Sequence, residues 1–473
     1  MKRKDEKLGL WLLVFVGLGS MIGSGIFNSP KDLISVANPK GAIFTWLIGG
    51  FGALMLAFVF IYLNFRKPHL KSGIFAYAKD GFGDYMGFNS AWGYWSVGWL
   101  GNVSYFALFF KTLNDLLGKN ALSPLTCFIL ASVILWIFYA VVAAGVREGA
   151  ITNFIVTVAK LLPILLVIFV GFSLVNPDIF NVPDWKNTLA ATGGATTPGL
   201  QIKDAMAVVL WCFVGVEAAS VLSGRAKDQR TVQQATLISV ITVLGIYMLL
   251  TFISMAAVPA GELRQSDTPL ALVLEKTSIG MTGAIVVKLG IMVSVMGASL
   301  SWILLSVETM YAAARDGVMP KLLAKENKNG TPVNALLLTQ IFTQLFLVSI
   351  LSPNMNRTYL MAITAATSLV LIPYFLSSLY AMKVAIKNKS GENPLYIIVA
   401  VLGTVYSLYV IYAVGIKYLF LSILFYAIGA FVFLKGRHEQ KQKPKHWEWA
   451  FMLALIASAT VLTVLVLNGT VQL

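Results

Sequence analysis

Val14-Phe-Val-Gly-Leu-Gly-Ser-Met-Ile-Gly-Ser-Gly-Ile-Phe-Asn-Ser-Pro30 is the stretch that decides the fold. Apolar residues run on from Leu8 as if to cross a membrane, yet Gly17, Gly19, Gly23 and Gly25 fall inside the run, with Ser20 and Ser24 among them. Each interior glycine costs a helix about 1 kcal/mol relative to alanine. Non-helical backbone at membrane depth persists only where it is buried in protein or lines a cavity. Two structures are consistent with the stretch. Small residues spaced like Gly19 and Gly23 let two membrane helices approach closely, or the helix breaks and offers free amides and carbonyls to a ligand.

The chain around it is 473 residues long, 58% hydrophobic and 12% charged, with a mean hydropathy of +0.77. That composition excludes the soluble globular classes. The basic N-terminus before an apolar run imitates a secretory signal, but the run is too long for one and no Ala-x-Ala site follows, so it is expected to be a retained first span. A span needs about 20 mostly apolar residues. Thirteen segments qualify: 9–36, 42–65, 86–116, 124–146, 150–175, 203–224, 232–258, 281–313, 333–352, 358–382, 394–415, 417–435 and 448–468.

With the N-terminus in the cytoplasm, 24 of the 36 Lys and Arg residues fall inside, among them Lys2, Arg3, Lys4, Arg147, Arg225, Arg315 and Lys389, against 9 outside. The net charge of +15 is therefore a topological signal and not a nucleic-acid footprint. The loop from Asn176 to Gln201, with Asp178 and Asp184, is expected outside. Cys127 and Cys212 lie in apolar segments and give no disulfide framework. His69, His438 and His446 sit in basic loops, so neither a metal site nor a cofactor is expected.

The sixth span holds a second mid-membrane glycine, Gly215, followed by a carboxylate, Glu217. Two broken spans, five apart and entering the membrane from opposite sides, point to an inverted repeat with the binding site at the breaks. The expected architecture is an all-α polytopic membrane protein with a five-plus-five inverted repeat, discontinuous helices 1 and 6 and about thirteen transmembrane helices. Residues 1–390 form the ten-helix core, with repeats at 8–175 and 203–390, and residues 391–473 add accessory spans.

Ionisable residues at membrane depth mark pathways by default. Glu217 qualifies, although neighbouring amides could satisfy a purely structural carboxylate there. Lys160 lies mid-span with no short exit for snorkelling, whereas Lys111 and Lys288 are near helix ends. Asn102, with Tyr94 and Tyr105 a few turns either side, faces either the same cavity or a neighbouring helix. Trp302 and Tyr374 lie inside spans, where packing explains them equally well.

Several separated motifs occur in order: Gly19-Ser-Met-Ile-Gly-Ser-Gly-Ile-Phe27 with Pro30, Gly101-Asn102, Trp211-Cys-Phe-Val-Gly-Val-Glu217, Trp302-Ile-Leu-Leu before Ala312-Ala-Ala-Arg-Asp-Gly317, and Pro373-Tyr374. Together they resemble the amino acid-polyamine-organocation transporters, and within them the basic amino acid and polyamine antiporters such as arginine/ornithine and arginine/agmatine exchangers. The resemblance covers about residues 8–390.

It implies that the stretch Met21, Ile22, Gly23, Ser24 and Gly25 meets the substrate, with Ser24 and Gly25 taking its carboxylate, and that carbonyls near Trp211 and Val214, beside Gly215, take its amino group. Asn102 would meet the side-chain head group, and Trp211 and Trp302 would sandwich the stem. Tyr94, Glu217 and Tyr374 would match the outer gate, and Lys160 a position where a lysine stands in for a sodium ion. Val97-Gly98, Ala366 and Tyr105 depart from arginine/agmatine exchangers in the distal pocket.

The function implied is exchange of an external amino acid, arginine-like, for an internal amine or related amino acid such as ornithine, agmatine or putrescine, by alternating access. The alternatives are exchange of an aromatic amino acid or histidine for its decarboxylated amine, and a sensing receptor on a transporter scaffold. No enzymatic cluster of His, Cys or carboxylates gathers at one membrane face. The expected setting is the cell membrane, multi-pass, with lipid and small amino acids or amines as partners, a homodimer allowed, and no nucleic acid.

Overall fold

At the quoted stretch the helix breaks: α1 spans Leu10–Met21 and α2 spans Ser24–Val36, with Ile22 and Gly23 between them in non-helical conformations. The computed structural model describes residues 7–182, 185, 197–352, 354–388 and 393–468, and leaves aside the side chains of 146–153, 356, 416–418 and 421. Lys2, Arg3, Lys4, Asp184 and Lys389, and the side chain of Arg147, lie outside the described residues.

The described elements are helical: α3 (Pro39–Arg66), α4 (Ile74–Phe82), α5 (Asp84–Leu117), α6 (Pro124–Ala144), α7 (Val146–Gly171), α8 (Pro177–Phe180), α9 (Pro198–Phe213), α10 (Ala218–Val221) and α11 (Gln229–Ala257). They continue with α12 (Ala260–Gln265), α13 (Pro269–Glu275), α14 (Gly280–Arg315), α15 (Val333–Leu347), α16 (Met355–Lys387), α17 (Pro394–Val414), α18 (Ile416–Glu439) and α19 (His446–Leu467). Ten are long and apolar enough to cross a membrane, with α1 and α2 taken together, or eleven if α9 and the short helical turn after it form one span bent by 43°.

α5 and α18 are not among those ten. α5 is studded with Gly87, Asn89, Ser90, Gly93, Ser96, Gly98, Gly101, Asn102 and Ser104, all of them buried. Its polarity is thus turned into the protein and away from lipid. The short helices α4, α8, α12 and α13 fall in segments too brief to register as spans.

α5 runs through the middle of the bundle with α14 and α16 each packed against it, while α1 lies against α11, α7 and α14. Most of α6 and α19 is left facing outward, with Leu125, Ile129, Trp136, Leu453 and Leu467 exposed. Small residues set the close approaches. A Cβ at Gly17 would lie 2.5 Å from Ser239 Oγ, and one at Gly52 would lie 2.1 Å from the Tyr406 ring. Of the glycines in the opening stretch, Gly17 therefore serves helix packing.

Polar networks close both ends. At the end holding the N-terminal segment, here the near end, Leu8 pairs with the backbone of Arg225 and Lys227. Beside it the Arg225 guanidinium grips Glu308 through two bonds of 3.1 and 3.2 Å. Arg437 meets Asp84 at 2.8 Å, and buried Glu448 accepts from the amides of Tyr85 and Lys445, which ties α18 and α19 to α5. At the far end Asp267 holds both Lys31 and Lys111, and Asp115 holds Lys288 at 2.9 Å. The lysines expected to snorkel, Lys111 and Lys288, are ion-paired instead.

Candidate functional site

A break in a membrane helix leaves carbonyls at one end and amides at the other, and each needs a partner. Here every carbonyl from Leu18 to Ile22 has one. Leu18 accepts from the Ile22 amide, Gly19 from Lys160 Nζ at 3.1 Å, Ser20 from Trp302 Nε1 at 3.1 Å, and Met21 from the Tyr247 hydroxyl at 2.6 Å. Ile22 accepts from Lys160 Nζ at 2.7 Å and from Ser294 Oγ at 3.3 Å. The amide end is the opposite case. The Gly23 amide turns back to the Met21 carbonyl at 2.9 Å, but among the described residues nothing accepts from the amides of Ser24, Gly25 and Ile26 at the buried start of α2. Such a terminus favours an anion.

The second break lies against the first. Gly215 has φ +113, a left-handed conformation that glycine adopts without strain. Ser20 Oγ donates to its carbonyl at 3.3 Å, and a Cβ there would come within 2.6 Å of that same oxygen. No described residue donates to the carbonyl of Val214, one position earlier.

Between the breaks lies a tightly contracted cavity, without room for a water molecule, lined by Ser20, Met21, Gly23, Ser24, Gly25, Tyr105, Trp211, Val214 and Trp302. Trp211 Nε1 donates to Ser24 Oγ at 3.3 Å and so closes over the α2 amides. Trp302 packs at 5.6 Å from the Tyr94 ring on the other side.

Eight of the sequence-derived positions thus line one cavity, and the rest lie around it. Asn102 is fully buried and neither of its amide atoms finds a partner, but it is not in the wall of the contracted cavity. Val97 is likewise buried away from the wall, and Ala366 is fully buried on α16. Gly98 serves the contact between α5 and α14. A Cβ on it would fall 1.6 Å from Ser306 Oγ and 3.2 Å from the carbonyl of Trp302. Gly98→Ala is expected to lower stability by about 1–3 kcal/mol, the usual result of overpacking. Ser306→Ala should recover part of that loss in thermal unfolding of the purified double variant.

Glu217 is fully buried and accepts from the Tyr374 hydroxyl at 2.5 Å, while that hydroxyl accepts from the Gly215 amide at 3.2 Å. Tyr94 faces the same carboxylate, yet its hydroxyl and Glu217 Oε1 meet no hydrogen-bond geometry. The cluster sits on the near-end side of the breaks. From Glu217 the chain runs through α10 to Arg225, and from Tyr374 the rings of Phe60, Tyr77 and Tyr380 lead on toward Asp80. A gate formed by this cluster would close the path to the end that holds the N-terminal segment. Trp211 lies in the wall of the cavity, over the start of α2.

Ser20, Tyr247 and Ser294 were missed as site residues by sequence reasoning. Ser20 lay in the quoted stretch as one more small residue. Tyr247 and Ser294 sit in spans with nothing local to distinguish them, and their roles come from partners more than 200 residues away.

A family model described as amino acid permease matches residues 8–417, which takes in both breaks and every residue of the cavity. The chain belongs to the amino acid permease family. Its membership makes it a membrane transport protein and not an enzyme. The permease is 40% identical over 455 residues to an arginine/ornithine antiporter of Pseudomonas aeruginosa, covering 93% of each chain. It is 34% identical to a putative arginine/ornithine antiporter of Bacillus subtilis, covering 92% of this chain and 99% of that one. It is 33% identical to an L-lysine transport protein of Corynebacterium glutamicum, over 98% and 95%.

Proposed function

We propose that this permease is an antiporter that exchanges a basic amino acid, arginine-like, for ornithine or a related amine by alternating access. The observation that carries this is the asymmetry of the first break, where all carbonyls are answered and the α2 amides are not. A free α-carboxylate on those amides, with its α-amino group toward the Val214 carbonyl, satisfies both sets of groups at once. The stem of the side chain then passes between Trp211 and Trp302, and aromatic faces suit a cationic head group.

We further read the thirteen sequence-derived spans as two inverted five-helix repeats, 8–175 and 203–390, followed by accessory helices in 391–473. The near end is cytoplasmic in a cell-membrane setting. Support comes from the matching position of the two breaks and from the excess of basic residues on the near-end loops.

Counterflow into proteoliposomes tests the substrate. Vesicles preloaded with arginine, ornithine, agmatine, putrescine, tyrosine or histidine are offered labelled arginine, and acceleration by ornithine but not by tyrosine or histidine is expected. Uptake indifferent to the internal solute would exclude antiport.

Glu217 gives a second test. Tyr374 and Tyr94 can hydrogen-bond to either a carboxylate or an amide at this position, so Glu217→Gln keeps the shape and removes the charge and the proton. We expect exchange to fall about tenfold, the equivalent of one charge-assisted hydrogen bond, and its pH dependence to flatten. Loss of rate by the same factor at every pH would leave Glu217 as a structural gate and end the proton role.

A further inference from the structure

α2 carries Ser24, Asn28 and Asp32 four residues apart, so the three share one face of the helix. Exposure rises along that face: Ser24 is fully buried, Asn28 is 4% exposed, and Asp32 is partly open toward the far end. Opposite them stand Tyr359 of α16 and Cys212 of α9. Tyr359 is only 2% exposed, and its hydroxyl is turned toward Ser24 and Asn28 without hydrogen-bond geometry to any described residue.

Asp32 likewise makes no hydrogen bond or ion pair among the described residues, and the cations acting on it are Lys31 and Lys111. Both of those have another carboxylate. Asp267 takes them at 3.5 and 2.9 Å. Partial burial works against the charge on Asp267, but Lys111 and then Lys31 hold its carboxyl below the usual range. Asp32 also sits in the C-terminal half of its helix, the end where the backbone dipole disfavours a carboxylate. A polar group that breaks local rules without a structural partner marks a functional position.

We propose that Asn28, Asp32 and Tyr359 form a second, shallower binding station on the far-end side of the central cavity, where the cationic head group of an incoming amino acid docks before entry. This rests on the exchange of basic amino acids proposed above. An ammonium or guanidinium supplies the donors that the Asp32 carboxylate, the Asn28 carbonyl oxygen and the Tyr359 hydroxyl oxygen lack. The polar face then leads down to Ser24 and the α2 amides, with Trp211 as the barrier between the two stations. An amino acid with a neutral side chain offers Asp32 no cationic head group.

The test is exchange in proteoliposomes of known orientation, with saturating internal arginine and varied external arginine. Asp32→Asn is expected to raise the half-saturating concentration at the far-end face about tenfold, to leave it unchanged at the near-end face, and to leave the maximal rate within about twofold. Asp32→Glu should restore most of the loss, and Tyr359→Phe should cost about threefold on the same face.

Unchanged half-saturation in Asp32→Asn, equal shifts on both faces, or a lower maximal rate with unchanged half-saturation would each overturn the proposal and leave Asp32 as a counter-charge for Lys31 and Lys111. If Asp32→Asn does not fold, Asp32→Glu and Tyr359→Phe decide the matter by the same one-sided shift. Wild-type protein that exchanges no cationic amino acid would overturn the substrate reading and this station with it, whereas wild-type arginine exchange with an indifferent Asp32 overturns the station alone.

Discussion

Lys160→Met is expected to reduce exchange by about 100-fold, because it strands the buried Gly19 carbonyl at a cost of about 1–3 kcal/mol, leaves Ile22 only its 3.3 Å bond from Ser294, and removes the group that holds the first break open. Lys160 is fully buried on α7, and its ammonium donates to the carbonyls of Gly19 and Ile22 at 3.1 and 2.7 Å. Among the described residues no carboxylate pairs with it. An ammonium held only by carbonyl oxygens at an unwound helix occupies the chemical position of a bound cation. If Lys160 substitutes for a dissociable cation, wild-type exchange should run at the same rate in sodium and in choline media.

Arginine variants help to separate charge from shape. Lys160→Arg keeps the charge but is too bulky for a fully packed position, and it should recover little activity. Strict sodium dependence of the wild type, or near-normal exchange by Lys160→Met, would remove the cation-substitute role. A lower melting temperature alone would not distinguish the two, since either role predicts it.

What was legible in the sequence follows from the range of the interactions involved. Hydrophobic runs, the interior glycines and the basic loops are local features, and they locate α1, α2, α9 and most long helices to within a few residues. α4, α8, α12 and α13 escaped because they are short amphipathic or polar pieces that owe their structure to docking on the bundle. At the site, Trp302, Lys160 and Ser24 were visible as residues out of place in apolar spans.

Their bonding was not visible. Trp302 reaches Ser20 across 282 residues and Tyr247 reaches Met21 across 226. Nor was the end of the bundle toward which Glu217 lies: only the course of α10 to Arg225 and the aromatic path from Tyr374 show it. Nothing in the sequence set Asp32 apart, and its lack of a partner among the described residues is a property of the fold alone.

Trp302→Ala is expected to lower exchange at least tenfold in protein that still inserts and folds. The residue has two roles that can be separated. Its indole N–H donates to the Ser20 carbonyl at 3.1 Å and supports the break, while its ring, 1% exposed, forms one wall of the cavity against Tyr94. Truncating a buried aromatic costs about 3–5 kcal/mol of stability, so the alanine variant alone confounds the two roles. Trp302→Phe keeps an aromatic wall and deletes the donor.

If the ring stacks on the substrate stem, Trp302→Phe should bind arginine nearly as well as wild type and turn over more slowly, since only the break is loosened. Trp302→Ala should lose binding as well, by the ~0.5–2 kcal/mol typical of an aromatic face against a cation. Arginine binding to the purified variants by calorimetry, set beside exchange rates, gives the split. Equal binding by Trp302→Ala and wild type would assign the tryptophan to the backbone of α1 and leave Trp211 as the aromatic contact to the substrate.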